Sequence, residues 1–351
     1  MSEIIQGEAG SFYSFLSDGC KLCQQGAKMV LFITGICPKD CFYCPVSDER
    51  RTDATYANER KVFTDKDVLE EVRQMDALGT GITGGEPLLK KNLVIHYIKL
   101  LKTEFGMKHH IHMYTSIAPD RKMLNELAEA GLDEIRFHPA VELWDRMDDT
   151  SYADSITFAK ELGMEVGIEI PSIKGAENVA LFAEKAGCFL NLNELEFSDT
   201  NTDAMKAKGY TLRDDVSNAV IGSEEYAAEI APACDKIHFC SSSYKDAVQL
   251  RKRLIRIAEN TARPFDEISE DGTIYYGHIE CAVNEDIKTA SNELLQMEVP
   301  PEMMETTADG IDIAGWILEE IAESIRSPIR KLYILERYPL MDGLIVEKIP
   351  L

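Results

Sequence analysis

Between residues 28 and 205, short β-rich apolar runs alternate with longer stretches whose apolar residues recur at helical spacing. The runs predict six strands, Met29–Thr34, Thr80–Thr83, His110–Thr115, Glu134–His138, Glu165–Ile170 and Asn193–Phe197. Helices are expected between them at Asp65–Leu78, Asn92–Phe105, Arg121–Ala130, Tyr152–Leu162 and Glu177–Ala186, with glycines at 79, 106, 131, 163 and 187 placed to end them. Repeated strand–helix units of this kind predict an α/β fold, a parallel sheet wound by right-handed crossovers into a partial (β/α)6 barrel. Chemistry in such a fold gathers at the C-terminal ends of the strands.

After about residue 205 the rhythm changes. Helices are expected near 223–231, 243–260 and 311–325, the second capped by Ser243 and Asp246, and a terminal strand pair, Leu332–Arg337 and Gly343–Lys348, turns at Tyr338–Gly343. The expected organisation is therefore an N-terminal extension over 1–27, a barrel core over 28–205 and an α+β extension over 206–351 that packs on the core.

Within the strands, alternation separates two faces. His110, His112 and Tyr114 oppose Ile111 and Met113; Glu134, Arg136 and His138 oppose Ile135 and Phe137. Glu165, Gly167 and Glu169 oppose Val166, Ile168 and Ile170, while Glu194, Glu196 and Ser198 oppose Leu195 and Phe197. The polar sets should face the lumen, where unpaired carboxylates would be costly, so they are expected to meet Arg136, the histidines or a polar ligand. Two inward histidines, His110 and His112, are read as hydrogen-bonded core groups in preference to metal ligands.

Composition narrows the class. With 45% apolar residues the chain can build a core. No apolar run approaches the ~20 residues of a membrane span, and the first residues lack a signal-peptide pattern, so a cytoplasmic protein without a membrane span is expected. With 61 acidic against 37 basic residues the formal charge is −24, which disfavours general nucleic-acid binding. The basic stretch Arg251–Arg256 is a local exception and reads first as a solvated helix face.

The nine cysteines, at 20, 23, 37, 41, 44, 188, 234, 240 and 281, are an odd and clustered set, which points to metal or redox chemistry. Cys37, Cys41 and Cys44 lie within eight residues on the loop after the first strand, a spacing that lets one loop wrap a cubane cluster from three corners. Three thiolates leave one iron open to a small chelating ligand. The rival reading is zinc, since Cys20-x2-Cys23 and Cys41-x2-Cys44 also form a four-cysteine pattern, but it leaves Cys37 and the next motif unexplained. That motif is Gly84-Gly85-Glu86-Pro87, directly after the second strand, where glycines permit close backbone approach and a carboxylate can receive an ammonium group.

The cysteine spacing and the Gly84–Pro87 motif, each following a strand of one array, resemble the radical S-adenosylmethionine (SAM) superfamily. The resemblance implies a [4Fe–4S] cluster on Cys37, Cys41 and Cys44, with S-adenosylmethionine on the open iron and cleaved reductively to a 5′-deoxyadenosyl radical. It implies cofactor contacts from Tyr43, Gly84, Gly85, Glu86, Pro87, Thr115, Ser116, Glu196 and Ser198, and a substrate pocket at His138, Glu169 and Arg136. An electron donor such as flavodoxin or ferredoxin would be a partner. Gly19–Cys23, Cys240–Asp246 and Glu336–Pro339 further resemble a largely archaeal group related to pyruvate formate-lyase activating enzymes.

The expected activity is hydrogen abstraction from a polar small molecule or a peptide side chain. A tRNA-modifying enzyme, from the basic 251–256 stretch, and a non-catalytic zinc-stabilised binding module are the alternatives. Cys20, Cys23, Cys234 and Cys240 form a candidate auxiliary site for an iron–sulfur cluster or zinc, whereas Cys188 and Cys281 read as plain buried thiols.

Overall fold

The computed structural model describes residues 3–214, 216–282 and 287–351. The chain forms two compact units, one of residues 1–73 and 77–250 and the other of 74–76 and 251–351. Thus the first unit takes in both the N-terminal extension and residues 206–250, which the sequence set apart from the core.

The first unit opens with β1 (Ile5–Gln6), β2 (Phe12–Tyr13), α1 (Asp18–Gln24), β3 (Lys28–Phe32), β4 (Tyr56–Ala57), β5 (Arg60–Lys61) and α2 (Asp65–Gln74). There follow β6 (Gly79–Thr83), α3 (Lys91–Phe105), β7 (His110–Thr115), α4 (Arg121–Ala130), β8 (Glu134–Phe137), α5 (Ser151–Glu161), β9 (Glu165–Pro171), α6 (Ala176–Ala186) and β10 (Phe189–Asn193). The unit ends with α7 (Thr202–Ala207), α8 (Ser223–Ile230), β11 (Ile237–Cys240), α9 (Ser242–Tyr244) and a π-turn over Lys245–Leu250. The sheet order is β1-β2-β11-β10-β9-β8-β7-β6-β3-β4-β5, and from β11 through β3 every pairing is parallel. The result is an open, partial barrel with antiparallel strands at both edges.

Local chemistry explains the helices. Asp120 caps α4 by accepting the Met123 N–H at 2.8 Å, and Gly131, left-handed at φ 105°, closes it. Two expectations are displaced. The sixth strand is Phe189–Asn193, not Asn193–Phe197, because Leu190 and Leu192 supply its fully buried outer face. Ser241, two residues before the expected cap, accepts the Tyr244 N–H at 3.0 Å. α1 lies across the N-terminal ends of the strands: Gly19 N–H donates to Glu134 at 3.0 Å and Asp18 N–H to Glu165 at 3.1 Å, both first residues of their strands.

The second unit contains α10 (Arg251–Thr261), β12 (Glu267–Ile268), β13 (Ile274–Cys281), α11 (Ile287–Gln296), β14 (Met304–Thr306), β15 (Gly310–Ile313), α12 (Gly315–Ile325), β16 (Arg330–Arg337) and β17 (Ile345–Pro350). Its sheet is antiparallel, β14-β15-β13-β16-β17 with β12 beside β13, over a core that includes Ile274, Ile279, Ile311, Ile313, Leu318 and Leu335. The terminal pair is present as expected, but residues 310–313 form a strand before the helix expected over 311–325. Arg256, from the basic stretch, is engaged by the Asp76 carboxylate at 2.6 Å and the Met75 carbonyl at 2.9 Å. No helix among the described residues is long and apolar enough to cross a membrane.

Candidate active site at the mouth of the partial barrel

The two sequence motifs lock together through their backbones. Gly85 N–H donates to the Thr34 carbonyl at 2.7 Å and Glu86 N–H to the Ile36 carbonyl at 2.9 Å, pinning the start of the cysteine loop to the end of β6. The approach requires glycine: a Cβ at Gly85 would lie 2.6 Å from the Ile36 carbonyl oxygen. The loop's thiols graduate outward, Cys37 exposed and Cys41 and Cys44 partly buried. Lys39 N–H donates to the Cys37 sulfur at 3.5 Å, and Cys44 N–H closes a turn onto the Cys41 carbonyl at 2.9 Å. Burial pushes the Cys37 and Cys41 thiols above their ordinary range, so iron binding there must release protons.

Glu86 is fully buried. One carboxylate oxygen accepts the Thr115 hydroxyl at 2.8 Å and the Leu88 N–H at 3.0 Å; the other accepts the Ser116 N–H and hydroxyl, each at 2.7 Å. Its carboxylate therefore ties the end of β6 to that of β7, with Thr115 and Ser116 beside it.

Tyr43 points inward from the loop. Its hydroxyl lies 2.9 Å from His138 Nε2, while His138 Nδ1 lies 2.7 Å from the Glu169 carbonyl. The carbonyl can only accept, which puts the proton on Nδ1 and makes Nε2 the acceptor of the phenol. Burial lowers the His138 pKa, holding the ring neutral, and raises that of Tyr43.

The segment after β10 clasps the far end of the cysteine loop: Asn201 donates to the Tyr43 carbonyl at 3.1 Å and to the Glu196 carbonyl at 3.0 Å, and Thr200 to the Cys44 carbonyl at 3.4 Å. Ser198 bonds Thr200 within this segment at 3.2 Å, and Glu196 pairs with Lys245 at 2.5 Å. Since β10 ends at Asn193, Glu194, Glu196 and Ser198 belong to the loop at the mouth, not to a strand face.

Below the mouth the lumen is polar, as the alternation predicted. Arg136 bonds Glu134 at 2.5 Å, Glu169 at 2.7 Å, the Tyr114 hydroxyl and the Ser17 hydroxyl each at 3.0 Å, and the Cys20 sulfur at 3.5 Å. Glu169 also accepts from Asn191 and Asn193, each at 2.9 Å. Arg136 and Glu169 are thus saturated by protein partners. Lys28 Nζ lies 3.0 Å from His110 Nδ1 and 2.6 Å from His112 Nδ1. With Glu134 these two histidines make the one group of three metal-capable donors within 4.8 Å of one another found among the described residues, but the Lys28 ammonium already occupies their Nδ1 atoms.

The four leftover cysteines do not converge as a set. Cys240 ends β11 in register with Asn193, and Cys20 accepts from Asn191 at 3.3 Å, placing both in the lumen. Cys23 and Cys20 each act electrostatically on Cys240. Cys234 precedes β11, lies near Cys188 and bonds the Lys236 carbonyl at 3.7 Å, so it stands apart from the other three. Burial alone would raise Cys20, but the Arg136 guanidinium and the neighbouring His238 ring outweigh it and bring its pKa down to about 7. Lys28, Asn191, Asn193, His238 and Lys245 were not singled out from the sequence; the alternation of Asn191 and Asn193 against Leu190 and Leu192 was the available signal.

Residues 31–175 match the radical SAM superfamily, and residues 272–351 match a domain of unknown function, DUF8061. With its three-cysteine loop and glycine-rich anchor on a parallel partial barrel, the chain belongs to the radical SAM superfamily and is a radical SAM enzyme. Over 353 aligned residues it is 40% identical to a Methanocaldococcus jannaschii protein provisionally named a glycyl-radical enzyme activating enzyme, covering 96% of this chain and 93% of that protein. The PqqA peptide cyclase of Bradyrhizobium diazoefficiens is 33% identical over 113 residues, 31% of this chain and 27% of that protein. The crystal structure of methylornithine synthase aligns at a TM-score of 0.42 and 13% identity, over 63% of this chain and 72% of that one. The family implies a [4Fe–4S] cluster and S-adenosylmethionine.

Proposed function

We propose that this enzyme abstracts a hydrogen atom from a peptide substrate, with Cys37, Cys41 and Cys44 holding the cluster and the ends of β6 and β7 receiving S-adenosylmethionine. The donor set fits the group: three thiols on one loop, one bonded by a backbone N–H, and a turn that orients the other two. When bound, the cluster and S-adenosylmethionine supply a reductively generated, hydrogen-abstracting radical. The chain's own residues hold that chemistry in place. Gly85 and Glu86 fix the loop to the sheet, Glu86 positions Thr115 and Ser116, and the neutral His138 holds the Tyr43 phenol.

The single observation that carries this reading is the backbone lock between the Gly84–Glu86 turn and the cysteine loop. A peptide substrate is favoured over a small molecule by the name of the Methanocaldococcus relative, which points to a glycine of a partner protein. A flavodoxin or ferredoxin is the reductant this reading requires.

The test is anaerobic. Reconstituted enzyme, dithionite and S-adenosylmethionine are mixed with a glycyl-radical enzyme, and the partner is examined by electron paramagnetic resonance. The expected result is an organic radical on the partner polypeptide. Formation of 5′-deoxyadenosine without any protein radical would overturn the peptide reading and leave the small-molecule one.

A further inference from the structure

The charged side chains around the mouth differ in how fully they are satisfied. Arg136 and Glu169 are saturated by protein partners, and Glu86 accepts four hydrogen bonds. Lys245 and Glu196 stand apart from these. A single bond of 2.5 Å joins Lys245 Nζ to Glu196 Oε1, and neither charged group has another hydrogen-bond partner among the described residues. Their side chains are 31% and 28% exposed. Two ammonium N–H groups and one carboxylate oxygen are therefore open to a ligand.

The fold brings this pair to the mouth by two routes. β10 and β11 are parallel neighbours whose last residues, Asn193 and Cys240, are in register, and Glu196 and Lys245 follow shortly after those two ends. The two exits are fastened together: Ser242 N–H donates to the Glu194 carboxylate at 2.7 Å, and Glu194 N–H to the Cys240 carbonyl at 3.0 Å. Asn201 bonds both the Glu196 carbonyl and that of Tyr43, which sets Glu196 against the cysteine loop. Lys245 opens the π-turn, an irregularity that recurs at functional sites. Both residues lie beyond the 31–175 match to the superfamily, in the part of the mouth that this chain supplies itself.

We propose that this pair grips the substrate backbone, Lys245 donating to the carbonyl and Glu196 accepting the N–H of the residue that loses hydrogen. The inference rests on the peptide reading above and names its specificity residues. In an extended chain the N–H and C=O of one residue point to the same side, and a neighbouring strand meets them with one acceptor and one donor. An ion pair that presents a free N–H beside a free carboxylate oxygen offers the same two complements. A target glycine needs such a grip, because it has no side chain by which a site can orient it. The family resemblance gives Glu196 to the cofactor; its pairing with Lys245 gives it to the substrate.

The test uses the reconstituted full chain with dithionite, S-adenosylmethionine and a glycyl-radical enzyme produced with α,α-dideuterated glycine. Abstraction breaks a glycyl C–D bond and carries the deuterium to the 5′ carbon of 5′-deoxyadenosine, so the deuterated fraction of that nucleoside reports how well the target is held. Wild-type enzyme should give deuterated nucleoside. In Lys245→Met the KM for the glycyl-radical enzyme should rise about tenfold, the effect of losing a hydrogen bond to a charged group. The deuterated fraction should fall with it, while the KM for S-adenosylmethionine stays at the wild-type value. Lys245→Arg, which keeps the charge and the donors, should recover most of both losses, and Glu196→Ala should raise the same KM as Lys245→Met. A wild-type KM and deuterated fraction in Lys245→Met would overturn the proposal. So would a raised KM for S-adenosylmethionine alone, which assigns the pair to the cofactor, or no recovery in Lys245→Arg, which marks a merely structural role. Undeuterated nucleoside from the wild type would instead refute the peptide reading, and this inference with it.

Discussion

Glu86 separates two kinds of damage. Replacing it with alanine strips four hydrogen bonds, from buried donors on Thr115 and Leu88 and from the half-buried Ser116. Unsatisfied buried donors cost ~1–3 kcal/mol, more where a charge is involved, so Glu86→Ala should destabilise the protein by about 3 kcal/mol in urea unfolding. Because Glu86 touches no loop cysteine, iron content after reconstitution should stay at the wild-type level while S-adenosylmethionine affinity falls. Loss of iron in a folded Glu86→Ala protein would contradict that division.

In the second unit, Asp312 is held by His278 at 2.7 Å and Arg263 at 2.6 Å. Burial works against its charge, but these two partners win and hold its carboxyl below the usual aspartate range. The sign follows from linkage: a depressed carboxylate contributes stability above its unfolded pKa and loses it as the pH falls through the folded value. Asp312→Asn should therefore cost about 3 kcal/mol at pH 7, the penalty of breaking a buried ion pair. The gap from wild type should narrow below pH ~4; a gap independent of pH would refute the assignment.

At the scale of elements, the contact between the Gly84–Glu86 turn and the cysteine loop is the joint on which the site depends. A methyl at Gly85 would sit 2.6 Å from the Ile36 carbonyl and 2.8 Å from that of Gly35, both backbone atoms with little freedom to move. Gly85→Ala is expected to displace the loop, with at least a tenfold loss of reconstituted iron and an unchanged far-ultraviolet dichroism spectrum. Wild-type iron content in this variant would show that the joint is dispensable.

The same scale shows what the sequence could reveal. The loop cysteines and Gly84–Pro87 were legible because each is contiguous and follows a strand. Of the first five core strands, the first was legible as a continuous apolar run and the third to fifth because their faces alternate cleanly. The sixth was misplaced because Leu195 and Phe197 alternate with Glu194 and Glu196 as a strand would, although they lie in the loop beyond it. β11 went unseen: it is four residues long, and its inward residues, His238 and Cys240, match no simple alternation of charge. Lys28 and Lys245 could not be assigned partners, since His110, His112 and Glu196 are distant in sequence and meet them only after folding. β13 was missed because Gly277 and His278 interrupt its apolar run.

Across the whole molecule, charge and family membership set the expectations. A formal charge of −24 repels polyanions, and Arg256 of the basic stretch is already engaged by Asp76. Anisotropy with labelled tRNA should therefore show no binding at ~0.15 M salt, and only weak, salt-sensitive binding below it. Tight binding that survives ~0.3 M salt would revive the tRNA-modifying alternative. The 40% identity to the Methanocaldococcus relative extends over 96% of the chain, so residues 251–351, as well as the barrel, belong to what the two proteins share.

The most direct test of the central claim is production of 5′-deoxyadenosine. Wild-type enzyme and C37A/C41A/C44A are reconstituted anaerobically with iron and sulfide, supplied with dithionite and S-adenosylmethionine, and assayed by chromatography. The account predicts the nucleoside from the wild type alone, together with iron and sulfide that the variant lacks. Equal amounts from both proteins, or a wild type that takes up zinc and no iron on the Cys37–Cys44 loop, would contradict it.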